Sequence, residues 1–417
     1  MKKVNIALFG FGRIGRNIFR LGYDNPKYNF VAISDFGSLE ALHYLLVRDS
    51  VHGSMKDEVV LDGNYLKVKD QKVRVISGGK PGTIPWDIYD VDIVIDATGR
   101  FLKKEDLALH LSSGAKKVFT TRNPQEAIDR YVIPGINDSS IKPSDKIIST
   151  TSSTTQVLAL MVKMLDECFG LERAMMTTVH AYTADQPLAD AAGLDLRRSR
   201  SAAENIIPNS TFAPSIVEAI MPKFKGKLDG IAFNVPVPNG SCVDLTTELK
   251  NIPTVEEANK AIKEYSENSL KNIVGYTEDP IVSSDVSGRE ETMVFDQKAT
   301  MITNDALLKT LCWYDNGWGF SKRILDALDK TILPGINVNS EDIFCMTPED
   351  FKTDYRTPYG SGFSIAPILT QSAWFRTHNQ DDRYKNLFYV GAGTHPGAGV
   401  PGVINSAKVV ESILYDE

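Results

Sequence analysis

Residues 4–9 form an apolar run that enters Gly10-Phe11-Gly12-Arg13-Ile14-Gly15 without a linker, and residues 16–21 continue at helical spacing. Three glycines so spaced between a strand and a helix leave few folds open. The first permits a tight turn. The second removes a side chain where backbone amides must approach an anion, and the third lets the helix pack on the strand. Residues 29–34 read as a second strand ending in Asp35, about 20 residues beyond the turn, where a carboxylate accepts hydrogen bonds from a ribose and repels a 2′-phosphate. The pattern predicts a βαβ unit that binds a dinucleotide, NAD in preference to NADP, through Gly10, Phe11, Gly12, Arg13, Ile14, Gly15 and Asp35. A tight turn without a ligand is the plainer reading, but it leaves the strands and the placed aspartate unexplained. Residues 92–97 and 117–121 fit further strands of the same sheet.

The chain has 417 residues, of which 42% are hydrophobic. That suffices for two or three domains with their own cores. A net charge of -7, with both signs spread along the chain, argues against a partner such as nucleic acid. The sequence lacks an apolar run of about 18 residues, so no membrane span is expected. The start, Met1-Lys2-Lys3-Val4, lacks the apolar block of a signal peptide, which points to the cytoplasm. Cys168, Cys242, Cys312 and Cys345 lie far apart without paired spacing. They fit reduced thiols better than a disulfide framework or a metal site.

A second strand-turn-helix follows. Residues 146–148 are led by apolar positions, Ser149-Thr150-Thr151-Ser152-Ser153-Thr154-Thr155-Gln156 is a polar turn, and residues 157–165 look helical. Such a turn exposes a nucleophile and binds anions at the helix N-terminus. Residues 174–180 read as a strand ending in His180, inside Thr177-Thr178-Val179-His180-Ala181-Tyr182-Thr183.

These segments, with Asp49-Ser50-Val51-His52-Gly53, Thr98-Gly99 and Trp313-Tyr314-Asp315-Asn316, resemble the phosphorylating glyceraldehyde-3-phosphate dehydrogenase family. The resemblance covers residues 1 to about 332. It implies an α/β fold: a Rossmann domain over 1–152, completed by a helix near 316–332, and an α+β catalytic domain over 153–315. It further implies nicotinamide contacts from Thr98, Gly99 and Asn316, a phosphorylated aldehyde and inorganic phosphate as reactants, and His180 as the base. The family's nucleophile is a cysteine, and Ser153 stands at that position. A free cysteine, with a pKa of about 8.5, is a few percent thiolate at neutral pH. A serine hydroxyl is a far weaker acid and works when a carboxylate-oriented histidine and an oxyanion hole assist it. An acyl-serine is also an ordinary ester, harder to phosphorolyse than a thioester. Turnover is therefore expected to fall by orders of magnitude.

The resemblance assigns the substrate phosphate to Thr183, Asp185, Arg198 and a second arginine whose position holds Asn234. Replacing a bidentate cation by an amide weakens an anion site. Incoming phosphate falls to Ser152, Thr154 and Thr211, with Phe212 at a glycine position, where it is expected to crowd an anion. Thr150 and Gly317 replace an asparagine and a glutamate. So many changes around one pocket point to divergence of the pocket as a whole. The loop at 186–206, with Arg197, Arg198 and Arg200, is either a solvated charged loop or, as the resemblance implies, a lining for a neighbouring subunit's cofactor pocket in a homotetramer.

The match stops near residues 328–332, and Pro334-Gly335-Ile336-Asn337 reads as a junction. Residues 391–403 are glycine-rich, between an expected strand at 387–390 and an expected helix at 404–414. With residues 360–363 and 371–376, they resemble the C-terminal end of bacterial phytoene desaturases. Without the main flavin fingerprint of that family, segment 333–417 is expected to be a docking segment for a carotenoid-pathway partner, a membrane-surface contact or a fusion remnant. The function expected for the whole chain is NAD-dependent aldehyde oxidation. A non-catalytic NAD-binding module with an interaction tail is the rival reading.

Overall fold

The computed structural model describes residues 3–303, 306–332, 378–381, 383–384, 387–389 and 400–415. The chain divides into two units, Met1–Asn339 and Ser340–Glu417. In the first unit, a nine-stranded sheet runs in the order Arg130–Tyr131, Ile147–Ser149, Lys117–Thr120, Ile93–Asp96, Val4–Phe9, Tyr28–Asp35, Gln71–Ser77, Tyr65–Val68 and Val60–Asp62. Pairing is parallel from the first of these to Gln71–Ser77 and antiparallel beyond it. All four residues of Ile93–Asp96 are buried, as expected for central strands covered on both faces.

The chain leaves Val4–Phe9 toward Tyr28–Asp35 on one side and later returns to Ile93–Asp96 on the other. The crevice at the carboxyl ends of these strands is where open α/β sheets bind ligands. Gly10 adopts φ +95°, and a Cβ there would lie 2.8 Å from the Thr98 backbone nitrogen; a Cβ on Gly15 would lie 2.2 Å from the Gly10 carbonyl oxygen. The glycine spacing is thus enforced by two close backbone approaches.

The second sheet has eight strands and includes Leu228–Val235, Leu171–Ala181, Ser241–Leu249 and Leu307–Tyr314 side by side. Helix Ser153–Phe169 lies against it. Ser152 caps this helix by accepting a hydrogen bond from the Thr155 amide, which satisfies one of the orphan donors of the first turn. Leu158, Met161, Val162 and Leu165 share one buried cluster with Met176, Val243, Leu245 and Leu308 of the strands. Helix Trp318–Ile332 buries Ile324, Leu325 and Leu328 in the core of the first sheet, with Ile6, Ile18 and Phe30.

In the second unit, the helix Val400–Tyr415 is longer than the expected 404–414. Pro401 falls in its first turn, where a missing N–H costs no helical bond. In place of a strand over 387–390, the described residues show a single antiparallel bridge, Gln380 with Phe388. Side chains close this hairpin, with Asn379 Nδ2 donating to the Tyr389 carbonyl at 3.0 Å and the Tyr389 hydroxyl donating to Asp381 at 2.6 Å. The expected junction at 334–337, the segments 360–363 and 371–376 and the glycine run 391–399 lie outside the described residues.

His52, in the turn of a separate two-stranded hairpin (Arg48–Asp49 with Gly53–Ser54), meets Asp315, just before the helix Trp318–Ile332, at 3.0 Å, and Asp49 at 3.5 Å, all three side chains buried. Burial pushes the His52 pKa down, but the bonds and charges of Asp315 and Asp49 outweigh it and raise the value to about 9. A raised histidine pKa stabilises the fold fully below the unfolded value, about 6.5, and that stability is lost as pH rises through about 9. His52→Gln is expected to lower stability by about 3 kcal/mol at pH 6, since it removes the cation that pairs with two buried carboxylates. Urea melts from pH 6 to 10 should show a decline in the parent that the variant lacks; equal slopes would refute the assignment.

Candidate active site

The two strand-turn-helix junctions converge on one pocket. It is lined by Gly12, Arg13 and Ile14 of the glycine turn, Thr98 and Gly99, Ser152 and Ser153, His180, Thr183 and Asn316, and also by Arg122. An adjoining groove contains Gly10, Gly12, Asp35, Gly78 and Thr98. The groove fits a dinucleotide. A Cβ on Gly12 would meet nothing within 4 Å, so open space faces the backbone where a pyrophosphate would approach. Asp35 is held by the Phe11 amide at 2.7 Å and the Gly37 amide at 2.9 Å. It retains acceptor capacity for a ribose. Phe11 contributes only its backbone, because its ring is buried in the core. Thr98 is turned by Asp96, which accepts from both its amide and its hydroxyl.

Ser153 begins the helix Ser153–Phe169 and is partly exposed. Among the described residues, the amides of Ser153 and Thr154 have no acceptor. They point the positive end of the helix at the pocket. The turn that delivers Ser153 is strained: Thr151, fully buried, has φ +65°, a region that β-branched residues avoid and that concentrates at functional sites.

His180 lies near the end of the strand Leu171–Ala181. Its Nδ1 is 2.6 Å from the Ala181 carbonyl oxygen. A carbonyl can only accept, so Nδ1 carries the proton, and in the neutral ring Nε2 is the basic nitrogen. Burial lowers the His180 pKa; the bond to the Ala181 carbonyl and the charge of Asp185 oppose this, while Arg122 and Arg13 add to it, and the net shift is downward. The ring is therefore neutral and basic at pH 7. A carbonyl, not a carboxylate, orients it, so among the described residues the ring lacks the carboxylate that supports serine nucleophiles. Behind it, the Tyr314 hydroxyl joins Thr154 at 2.8 Å and Thr178 at 3.1 Å.

The expected phosphate ligands are only partly brought together. Ser152 and Thr183 line the pocket. Asp185 and Arg198 form an ion pair with each other; burial raises the Asp185 pKa, but Thr183, Arg198 and Arg122 outweigh it and lower the value. Asn234 is buried beside His180 in the parallel register, with its Nδ2 3.4 Å from the Ala181 carbonyl. Two of the expected side chains make other contacts. The Thr154 side chain faces Tyr314, since the second helical position turns it into the core. Thr211 lines neither cavity and instead accepts from the Ala213 amide at the start of helix Ala213–Ile220. Phe212 is 71% exposed and is not among the residues that line the pocket. A Cβ on Gly317 would lie 2.9 Å from Asn17 Nδ2, so a glutamate there would have to displace that side chain.

Family models described as "Glyceraldehyde 3-phosphate dehydrogenase, NAD binding domain" and "Glyceraldehyde 3-phosphate dehydrogenase, C-terminal domain" match residues 4–104 and 152–316. Glyceraldehyde-3-phosphate dehydrogenase 1 of Bacillus subtilis is 43% identical over 324 residues, 78% of this chain and 96% of that protein. The enzyme of Priestia megaterium is 44% identical over 334 residues, 80% of this chain and 99% of its own. Glyceraldehyde-3-phosphate dehydrogenase 2 of Nostoc is 40% identical over 330 residues, 78% and 98% respectively. The chain belongs to the glyceraldehyde-3-phosphate dehydrogenase family. Membership makes NAD the cofactor of the groove and the two-sheet architecture that of the family.

Arg122 was not found from sequence, because no motif contains it. The signal available was its position, two residues beyond the carboxyl end of Lys117–Thr120, where such sheets place ligands. Among the described cysteines, none replaces Ser153. Cys242 and Cys312 are buried, and burial raises the Cys242 thiol to about 11 and Cys312 well above its ordinary value. In Ser153→Cys, iodoacetamide at pH 7 should therefore label residue 153 at least about tenfold faster than Cys242 or Cys312, as judged by peptide mapping. Equal rates would mean that the helix terminus and His180 do not activate this position.

Proposed function

We propose that the chain catalyses the reaction of its relatives, NAD-dependent oxidation of a phosphorylated aldehyde with phosphate to an acyl phosphate, slowed by serine at the nucleophile position. The observation that carries this reading is the single pocket holding Ser153, His180 with Nε2 unprotonated, Thr98, Gly99 and Asn316. NAD, when bound, supplies the hydride acceptor. Ser153 Oγ adds to the aldehyde carbon as His180 Nε2 accepts the serine proton; the oxyanion, in the field of the Ser153 and Thr154 amides, takes that proton back from Nε2 and becomes the hydroxyl of a hemiacetal. His180 Nε2 takes the hydroxyl proton as hydride departs, which leaves an ester on Ser153. Phosphate then attacks the ester carbonyl, and the serine oxygen leaves with the proton held on His180. Thr183, Asp185 and Arg198 are assigned to substrate, with Ser152 beside the incoming phosphate.

Ser153→Cys tests the reading. The expected outcome is a rise in aldehyde oxidation of about 100-fold or more, since a histidine-paired thiolate replaces a hydroxyl. If Ser153→Cys stays inert while calorimetry shows NAD binding to the parent chain, the rival reading of a non-catalytic NAD module is correct.

The same proposal includes a homotetramer located in the cytoplasm. Its support is the loop at 186–206, which exposes Leu188, Leu194, Leu196 and Ile206, more apolar surface than an isolated solvated loop needs. Light scattering should give four times the chain mass. No helix among the described residues is long and apolar enough to cross a membrane. For the segment 333–417, the proposed role is an interaction tail fused to the dehydrogenase, with a carotenoid-pathway protein as partner; flavin absorbance in the purified chain would overturn it.

A further inference from the structure

One cation in the reaction pocket belongs to none of the motifs. Arg122 lines it beside Ser152, Ser153, His180 and Thr183. Its place is bounded on two sides. A Cβ on Gly99 would lie 3.1 Å from Arg122 Nε, so the guanidinium rests against the turn next to Thr98. On the other side its charge reaches both His180 and Asp185.

The neighbouring cations are engaged. Arg198 is ion-paired with Asp185, and Arg13 Nη1 donates to the Pro238 carbonyl at 3.1 Å. Among the described residues, no carboxylate pairs with Arg122 within 4 Å, and the residue is exposed to the pocket mouth. Asn234, meanwhile, puts a neutral amide where an anion site would gain from an arginine, and that amide is buried against the Ala181 carbonyl. Asn234 thus brings no charge, whereas Arg122 lines the pocket without a carboxylate partner among the described residues.

We infer that Arg122 is the principal phosphate-binding residue of this pocket and sets its specificity for phosphorylated over neutral reactants. The inference rests on the reading of the pocket as an aldehyde and phosphate site. A guanidinium offers two parallel N–H donors to a phosphate oxygen pair, which an amide cannot match. The anion is either the phosphate ester of the substrate or free phosphate, and both present the same oxygens.

The test uses the full chain saturated with NAD. Calorimetric titrations with inorganic phosphate and, separately, with 3-phosphoglycerate are compared for the parent, Arg122→Gln, Arg122→Lys and Arg198→Gln at fixed ionic strength. Arg122→Gln should weaken at least one of the two by about 10- to 100-fold, the loss of a charged hydrogen-bonded pair. NAD affinity should not change, and Arg122→Lys should recover part of the loss. Whichever ligand suffers identifies the source of the phosphate. The His180 ring, followed by NMR, should also titrate higher in Arg122→Gln, because one of the two arginines acting on it is gone. Unchanged affinities for both ligands in Arg122→Gln, or loss confined to Arg198→Gln, would overturn the assignment while leaving the dehydrogenase reading standing. A parent chain that does not bind NAD would overturn both.

Discussion

A single buried carboxylate holds the two sheets and the reaction pocket in register. Asp315 Oδ2 accepts from His52 at 3.0 Å, Asn239 at 2.8 Å and the Gly288 amide at 2.8 Å. Its Oδ1 accepts from the amides of Gly317 at 2.8 Å and Trp318 at 2.6 Å. His52 comes from the cofactor side, Asn239 and Gly288 from the catalytic side, and the two amides open the helix that returns to the cofactor core. Burial alone would raise the Asp315 pKa, yet these donors lower it. An ion so buried tolerates no missing partner, because a half-satisfied network costs more than an apolar one. Asn316 is the next residue, and Ser241 donates to its side-chain carbonyl at 3.4 Å. Asn316, proposed to meet the nicotinamide, is thus positioned by a network whose members lie more than 250 residues apart.

The pocket combines strong machinery with a weak nucleophile. The helix terminus, the neutral His180 and the NAD groove are those of a dehydrogenase. In the proposed mechanism, serine at position 153 and asparagine at position 234 stand where the family resemblance implies a thiol and a guanidinium. Both losses act on charge development, where a preorganised site has most influence. Arg122 returns one positive charge to the pocket from a different strand end. The site is better described as rebalanced than as emptied.

Much of this was legible in the sequence where local sterics decide. Gly10 and Gly15 could be read because any Cβ there meets backbone within 3 Å, a constraint carried by the residues themselves. The placed Asp35, the capped helix after Ser152 and the strand ending near His180 followed from periodicity and turn chemistry in the same way. The side-chain roles of Thr154 and Thr211 were not legible. One helical step separates Ser153, which faces the pocket, from Thr154, whose hydroxyl meets Tyr314 in the core. That choice depends on which face of the helix the second sheet covers.

The sequence by itself determined the family, the glycine turn and the cofactor, because those depend on short-range geometry and on residue chemistry. Only the tertiary structure decided what surrounds them: the carbonyl that orients His180, the carboxylate that joins the two sheets, and the arginine that faces Ser153 from a separate strand. These are contacts between segments distant in the chain. Their energies come from burial and charge proximity, which exist only after the sheets have packed.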